Sequence, residues 1–466
     1  MNVHDLVTLQ RRAYDAERSG ALLSQDSRAA FSQEYHMRRD MLLKLRQTII
    51  DREHEIGQAL YADLAKSSAE SYMTETGIVL SEINYVLKHL KKWMRPTRVR
   101  ASLSTFPGRN CIYPEPYGLA LILAPWNYPF QLSMLPLIGA IAAGNRCVLK
   151  PSEHAPATAR LLEDMAERWV KPDRAAVLTG GADLSRALLD EKFDYIFFTG
   201  GAEIGREVMK KAAEHLTPLT LELGGKSPCI VDAGADLELS AKRIAFGKSI
   251  NAGQTCIAPD YLLVHEKVQP KLMELIQENW NHFYGDHPLH SPDWPKIINE
   301  RHYSRLMKLI VNEDVYTGGE GDGQKISPTL LEHVTWDSPI MQEEIFGPIL
   351  PVISFSSLDE AVHEINRRER PLACYIFTDN EEQAKALLRA IPFGGGCIND
   401  TLVHASNPRL PFGGVGNSGL GSYHGKKSFD TFTHYKSVLH KGKADFPYRY
   451  PPFGEYKTTM LKQFLK

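Results

Sequence analysis

The sequence predicts an α/β protein built from two parallel-sheet units. After Pro96, short apolar runs bounded by turn residues alternate with helical stretches, the order that lays parallel strands between helices. This alternation occurs in two series that meet near Gly224 and Gly225. With 43% hydrophobic and 24% charged residues over a length of 466, the chain has the composition of a soluble protein with sizeable cores. At roughly 150 residues per domain, that length leaves room for about three units.

Taken in order, the stretch from about Gln25 to Met94 is helical. Met41, Leu42, Leu45, Ile49, Ile56 and Leu60, then Val79, Ile83, Val86 and Leu90, recur at helical spacing and give each helix one apolar stripe. Leu119 to Leu123, Cys147 to Leu149, Ala175 to Leu178 and Tyr195 to Phe198 read as buried strands. Phe130 to Ala143, Ala157 to Val170 and Leu184 to Leu189 read as the helices between them. In the second series, strands near Cys229 to Val231, Tyr261 to Val264 and Ile349 to Ile353 alternate with helices near Leu237 to Ile250, Val268 to Phe283 and Leu358 to Arg367. Arg98 to Tyr117 and the chain after about Asn399 have no core of their own, so they are expected to pair with each other or with another subunit. The basic tail Glu455 to Lys466 carries Met460, Leu461, Phe464 and Leu465 on one side and is expected to pack on its own protein, not on a membrane surface.

Charge and cysteine usage narrow the function. The 54 basic and 56 acidic residues leave a net charge of −2, which gives no global support to nucleic-acid or anionic-membrane binding. The six cysteines are too sparse for a disulfide framework, and without a CxxC pair no structural zinc site is expected. The first twenty residues lack a secretory apolar segment. The most apolar stretch, Leu119 to Ala143, is interrupted by Pro125, Asn127, Pro129, Gln131 and Pro136, a poor membrane span. A reduced, cytoplasmic location is expected, with no transmembrane segment.

Several segments hold residues that could carry chemistry. Cys256, in NAGQTCIAPD, follows a helix and precedes a strand in a glycine-containing turn, where a thiol can be both exposed and held rigidly. A buried structural cysteine fits the same local context, and it is the better reading of Cys111, Cys147, Cys229 and Cys374. Glu222, at the end of the apolar run LTLEL, is a carboxylate whose desolvation would raise its pKa toward that of a general base, although an interdomain ion pair is the plainer account. Gly224 and Gly225 after it allow a sharp turn or a close backbone approach. In FFTGGAEIGREV, Gly200 and Gly205 sit in a strand–turn–helix and would let a helix N-terminus approach a phosphate. In APWNYPF, Asn127 offers a side-chain amide that can hold an oxyanion, or serves simply as a turn residue. Lys150 and Glu153, just past the second strand, could hold ribose hydroxyls or lie in a solvated loop. In EEIFGP, Glu344 and Phe346 could take a ribose and a flat ring, or be a surface charge and plain core.

Taken together and in this order, PWNYP, LKPSE, FTGG with GxxxxG, LELGGKSP, GQTC, EEIFGP and PFGGVGNSG resemble the aldehyde dehydrogenase superfamily, from about Pro125 to Gly419. The endings NSGLGSYHGKKSFDTFTH and RYPP are similar to its class 3 branch. The resemblance implies a Rossmann-like cofactor domain, an α/β catalytic domain and a small bridging β element. It assigns 1–97 and 118–224 to dinucleotide binding, 225–398 to catalysis, and 98–117 with 399–466 to bridging, oligomerisation and the tail. It implies NAD(P)-dependent oxidation of medium-chain aliphatic or aromatic aldehydes to carboxylic acids, in a homodimer. Cys256 would attack the carbonyl, the Asn127 amide and the Cys256 N–H would hold the oxyanion, hydride would leave for the nicotinamide, and Glu222 would activate the water that hydrolyses the thioester. Trp126, Lys150, Glu153, Gly200, Gly205, Gly224, Glu344 and Phe346 would then line the cofactor. Glu153 would disfavour a 2′-phosphate and so favour NAD, with NADP also accepted among class 3 relatives. Some relatives carry a hydrophobic C-terminal anchor, which this tail is expected to lack. Three alternatives stay open: a CoA-acylating dehydrogenase, a non-catalytic nucleotide-binding protein of the same fold, and an esterase using only the Cys and the Glu. The presence of Glu222, of Cys256 with Asn127, and of the cofactor motifs counts against each in turn.

Overall fold

The computed structural model describes residues 2–23, 26–102, 105–445 and 449–464. Two mainly parallel sheets form the body. In the six-stranded sheet the order is Gly419–Leu420, Leu219–Glu222, Tyr195–Thr199, Leu119–Leu123, Arg146–Lys150 and Ala175–Val177, with only the first strand antiparallel. Alternation along Leu119–Leu123 explains why every residue in it is apolar. Ala120 and Ile122 point into the core shared with the helices Gln131–Ala143 and Pro156–Trp169, while Leu119, Leu121 and Leu123 pack with Leu6, Val7 and Tyr14 on the other face. The helix Val3–Leu23 that supplies this cover was not read from the sequence, although Val3, Leu6, Val7 and Tyr14 stand at helical spacing. The long helical region is divided into Ser27–Asp51, Glu53–Leu64, Ser68–Ser71 and Gly77–Trp93, with one π turn at Tyr72–Thr76. Gln25, where that region was expected to start, lies outside the described residues.

In the seven-stranded sheet the order is Asp314–Thr317, Thr329–Glu332, Ile349–Phe355, Tyr261–His265, Pro228–Val231, Ala373–Phe377 and Gly395–Ile398, antiparallel only at the Asp314–Thr317 edge. The main core runs without a break from Ala120 and Ile122 in the first sheet to Val231, Leu262 and Tyr375 in the second. The strands expected from sequence fall within a few residues of those observed, and the apolar strand expected at Cys374 is Ala373–Phe377, but Asp314–Thr317, Thr329–Glu332 and Gly395–Ile398 were not anticipated. Gly395–Ile398 is glycine-rich and only half-buried, so it lacks the apolar run that marks the others.

The two leftover segments do pair. Gly108–Pro116 runs antiparallel to Thr433–Lys441 over nine residue pairs, with Thr97–Val99 on its other edge. The chain after Asn399 also enters the body: Gly419–Leu420 extends the first sheet, and the helix Gly425–Thr431 lies against Gln131–Ala143. That contact is close. A Cβ added at Gly139 would stand 2.7 Å from the Ser428 Cβ and 3.3 Å from the Phe432 ring. The tail forms the helix Glu455–Phe464 with Met460 and Leu461 half-buried, and Leu465 lies outside the described residues. Gly139→Val is expected to force these helices apart at a cost of about 1–3 kcal/mol. The check is a lowered apparent thermal midpoint with the helical circular-dichroism spectrum retained.

Candidate active site

The parallel strands of the first sheet run Leu119–Lys150–Val177 in one direction and return through Thr199 and Glu222, so the order reverses between Leu119–Leu123 and Tyr195–Thr199. Ligands of open α/β sheets sit at such a reversal, beyond the carboxyl ends of the strands. The loops that leave those ends carry Trp126 and Asn127, Lys150 and Glu153, Gly200, and Gly224. The second sheet offers its opposite end: Cys256 lies ahead of Tyr261–His265, and Glu344 with Phe346 ahead of Ile349–Phe355.

Asn127 is buried, and its position is set from three sides. Its carbonyl accepts from Lys66 Nζ at 3.1 Å and from Asn251 Nδ2 at 2.7 Å, while its own Nδ2 donates to the Gln254 carbonyl at 3.1 Å. Lys66 is fully buried in a 2.6 Å ion pair with Glu75, and its ammonium lies 3.9 Å from the Tyr128 ring centroid. The other Glu75 oxygen accepts from the Phe130 and Gln131 N–H groups at 2.9 and 3.1 Å, which satisfies the open end of the Gln131–Ala143 helix. Tyr128 adds a hydroxyl bond of 2.7 Å to Thr255. The Asn127 loop and the turn before Cys256 are therefore one hydrogen-bonded unit.

That turn is tightly built. Asn251 and Ala252 adopt left-handed φ values of 53° and 49°, and Gln254 is anchored by the Asn251 and Lys296 carbonyls and by the Ile298 N–H. From Asn251 to Asp260 every residue is buried except Cys256, which is half-exposed. The thiol is thus the single chemical group this turn presents. Burial, followed by the charges of Glu344 and Glu222, raises the thiol pKa well above its ordinary value, so the resting cysteine is neutral. Glu222 is 2% exposed, and neither carboxylate oxygen has a hydrogen-bond partner. Burial alone lifts its pKa well above the usual carboxylate range. An ion-paired interdomain role is excluded by this isolation, and what remains is a buried carboxyl group close enough for its charge to reach Cys256.

Glu344 lies against the backbone of the first sheet's last loop. A Cβ at Gly224 would meet its carboxylate at 2.1 Å, and the Gly225 N–H bonds to it. Burial and the nearby Asp260 push its pKa up to about 8. Phe346, at φ 52°, sets its ring edge-on to Trp126 at 5.3 Å, and the His302 ring also packs against Trp126 at 5.0 Å. Lys150 is buried and pairs with Glu153 at 2.7 Å just beyond its strand. Gly200 has no room for a Cβ, which would lie 2.6 Å from the Phe198 ring, and a Cβ at Gly205 would lie 2.7 Å from the Leu223 side chain. Gly201 caps the 13-residue helix Ala202–Glu214 without any side-chain bond to its first N–H groups. An open helix N-terminus entered by glycines fits a phosphate, and an ion-paired lysine and glutamate at the neighbouring strand end fit a ribose. The residues present therefore fit a dinucleotide.

The structure brings Cys256, Glu222, Glu344 and Asn127 to one place, with Trp126 and Phe346 beside them and Lys150, Glu153, Gly200 and Gly205 along the strand ends of the first sheet. Sequence reasoning missed the groups that hold them. Lys226 Nζ bonds Asp260 at 2.5 Å and the carbonyls of Ile340 and Glu343 at 3.0 and 2.9 Å, and Asp260 accepts from the Ile345 N–H at 3.0 Å. Together they clamp the Glu344 loop. Both stand inside the LELGGK and CIAPD motifs, and a charge within an otherwise apolar motif was the available signal. Lys66, Glu70 and Glu75 gave none, since charges between helical apolar residues look like a solvated face.

The sequence profile of the Aldehyde dehydrogenase family matches residues 12–438. The chain is 46% identical to the 4,4'-diaponeurosporen-aldehyde dehydrogenase of Staphylococcus aureus, over 95% of this chain and 98% of that protein. It is 43% identical to aldehyde dehydrogenase family 3 member A2 of Mus musculus, over 96% and 94%. Its fold matches the substrate-bound state of Staphylococcus aureus AldH with a TM-score of 0.95 and 43% identity over the whole of both chains. It matches an NAD-dependent aldehyde dehydrogenase from Sinorhizobium meliloti with a TM-score of 0.84 and 29% identity, over 96% and 88%. With a site of this geometry and relatives of this breadth, the chain belongs to the aldehyde dehydrogenase family and is an enzyme that oxidises aldehydes with NAD(P).

Proposed function

We propose that Cys256 is the nucleophile and Glu222 the base of an aldehyde oxidation that ends in hydrolysis to the free acid, with medium-chain aliphatic or aromatic aldehydes as substrates. The observation that carries this reading is a single half-exposed thiol in a buried turn, within reach of the charge of a buried, unpartnered carboxyl group. Cys256 Sγ adds to the carbonyl carbon and its proton passes to a base. The carbonyl oxygen becomes negative, and the Asn127 amide and the Cys256 backbone N–H hold it. The nicotinamide cofactor, when bound, supplies the hydride acceptor. Gly200, Gly201 and Gly205 would hold its pyrophosphate end, Lys150 and Glu153 the adenosine ribose, and Glu344, Phe346, Trp126 and Gly224 the nicotinamide side. A carboxylate at Glu153, beside the proposed ribose site, would repel a 2′-phosphate, which supports NAD over NADP. The thioester left on Cys256 is cleaved by water, whose proton Glu222 takes. A buried carboxyl at this point supports water, and not a CoA thiol, as the acceptor.

We further propose the division 1–97 with 118–224 for cofactor binding and 225–398 for catalysis, and a homodimer bridged by the three-stranded sheet. Val99, Tyr435 and Leu439 are exposed on that sheet, and Thr433–Lys441 is an edge strand. Among the described residues no helix is long and apolar enough to cross a membrane. All six cysteines are free, which supports a reducing, cytoplasmic setting.

Cys256→Ala is expected to abolish NAD(P)H formation from hexanal or benzaldehyde while cofactor binding, measured by calorimetry, stays near that of the parent. Full turnover by this variant removes the assignment. For Glu222 the sign follows from its raised pKa: the carboxylate that accepts a proton is populated only as pH rises, so single-turnover hydrolysis of the acyl-enzyme should accelerate with pH. In Glu222→Gln that rise disappears, and an acyl adduct on Cys256 accumulates in intact-mass spectra. Asn127→Ala is expected to lower kcat by about 10²–10³ through loss of an oxyanion donor, read in steady-state assays with NAD.

A further inference from the structure

We propose that Glu70 is a positioning residue for Cys256, acting through its hydrogen bond to the Asn251 backbone N–H; this rests on Cys256 being the nucleophile. Asn251 and Ala252 are two successive non-glycine residues in left-handed backbone, a conformation held only where its surroundings fix it. Their geometry sets where Gly253, Gln254, Thr255 and Cys256 lie. The Asn251 side chain faces away to the Asn127 and Gln254 carbonyls, and its backbone N–H donates to Glu70 Oε1 at 2.8 Å. Glu70 comes from the short helix Ser68–Ser71, far away in sequence, and is itself pinned. Its N–H donates to Ser67 Oγ at 3.4 Å and its carbonyl accepts from Thr74 Oγ1 at 2.7 Å. It does not share the Lys66 ammonium, whose ion-pair partner is Glu75.

A glutamine would offer Asn251 the same acceptor without a buried charge, so the carboxylate calls for a reason. An ionised acceptor makes the stronger bond to an N–H, and the turn it holds is strained. The groups that act on its charge are Lys66, which favours it, Glu75 and Asp293, which oppose it, and the Asn251 N–H, while the phenols of Tyr128 and Tyr284 lie close enough to feel it. Burial outweighs these and pushes the pKa up to about 7. Two consequences have opposite signs. Protonation below about pH 7 weakens the grip on the turn. Because folding raises this pKa, the fold is stabilised by the protonated form and loses that contribution as pH rises from the ordinary carboxylate range toward 7. Function thus gains from the charge while stability loses by it.

The test compares the parent enzyme with Glu70→Gln, Glu70→Ala and Cys256→Ala, using NAD and hexanal. Glu70→Ala is expected to lower kcat roughly tenfold or more, the scale of a lost charge-assisted hydrogen bond, with KM for aldehyde and for NAD within about twofold. Glu70→Gln should lose less kcat, lack the parent's change of kcat around pH 7, and melt above the parent at pH 8 but not at pH 5. A kcat for Glu70→Ala within twofold of the parent overturns the proposal. If Glu70→Ala fails to fold, a Glu70→Gln enzyme with the parent's kcat and pH profile overturns it. So does a Glu70→Gln enzyme that melts below the parent at pH 8, since that marks a purely structural role. Activity retained in Cys256→Ala sinks the nucleophile assignment itself, whereas an inactive Cys256→Ala beside an unimpaired Glu70→Ala sinks only this inference.

Discussion

The site depends on one buried ion pair. Lys66 and Glu75 are both wholly excluded from solvent at 2.6 Å separation, and taking two charges out of water costs several kcal/mol for each. The cost is offset by what else the two groups bind: the Asn127 carbonyl, the Tyr128 ring face and two N–H groups at the start of the Gln131–Ala143 helix. The pair joins three parts of the chain. The N-terminal region supplies both charges, Lys66 from the connection between Glu53–Leu64 and Ser68–Ser71 and Glu75 from the π turn. The first sheet supplies the Asn127 loop, and through Asn251 and Gln254 the same network reaches the turn in front of the second sheet. Either charge without the other would be an uncompensated ion in the interior, so the three parts are fixed together or not at all.

The chemistry of the site is restrained at rest. Both the thiol of Cys256 and the carboxyl of Glu222 are held toward their neutral forms by burial. A neutral thiol is a poor nucleophile and a neutral acid is no base. The same arrangement keeps a half-exposed cysteine from indiscriminate alkylation. It also places the burden of activation on proton movement within the closed site, where Glu344, with its own pKa raised to about 8, is a third acid within electrostatic reach.

How much of this could be read in advance follows a physical line. Strands buried on both faces must be continuous apolar runs, so Leu119–Leu123 and Tyr261–His265 announced themselves, whereas Gly395–Ile398, glycine-rich and half-covered, did not. The proposed site residues sit in short motifs at strand ends, and Asn127, Glu222, Cys256, Glu344 and Phe346 were legible there. The groups that hold those residues were not. Lys66 and Glu75 interrupt amphipathic helical sequence in the manner of surface charges, and only the tertiary fold turns them inward. Glu222 shows the limit from the other side. Its isolation from every hydrogen-bond donor is a property of the packed interior and leaves no mark on the letters around it.

The strand Gly419–Leu420 has a consequence for how the protein is made. It pairs with Leu219–Glu222, and Gly419 stands opposite Glu222. On the ribosome that edge, which carries Glu222, is complete about 200 residues before its covering strand is synthesised, a delay of roughly 10–40 s at about 5–20 residues per second. For that interval the first sheet has a bare edge with an unsatisfied row of backbone groups, the feature most prone to capture by another chain. Cys256 and Glu344 are translated within that same interval, so all the proposed catalytic groups are present before this edge is covered. Gly419 then takes its place opposite Glu222, so the edge beside the proposed base is closed only by a late segment of the chain.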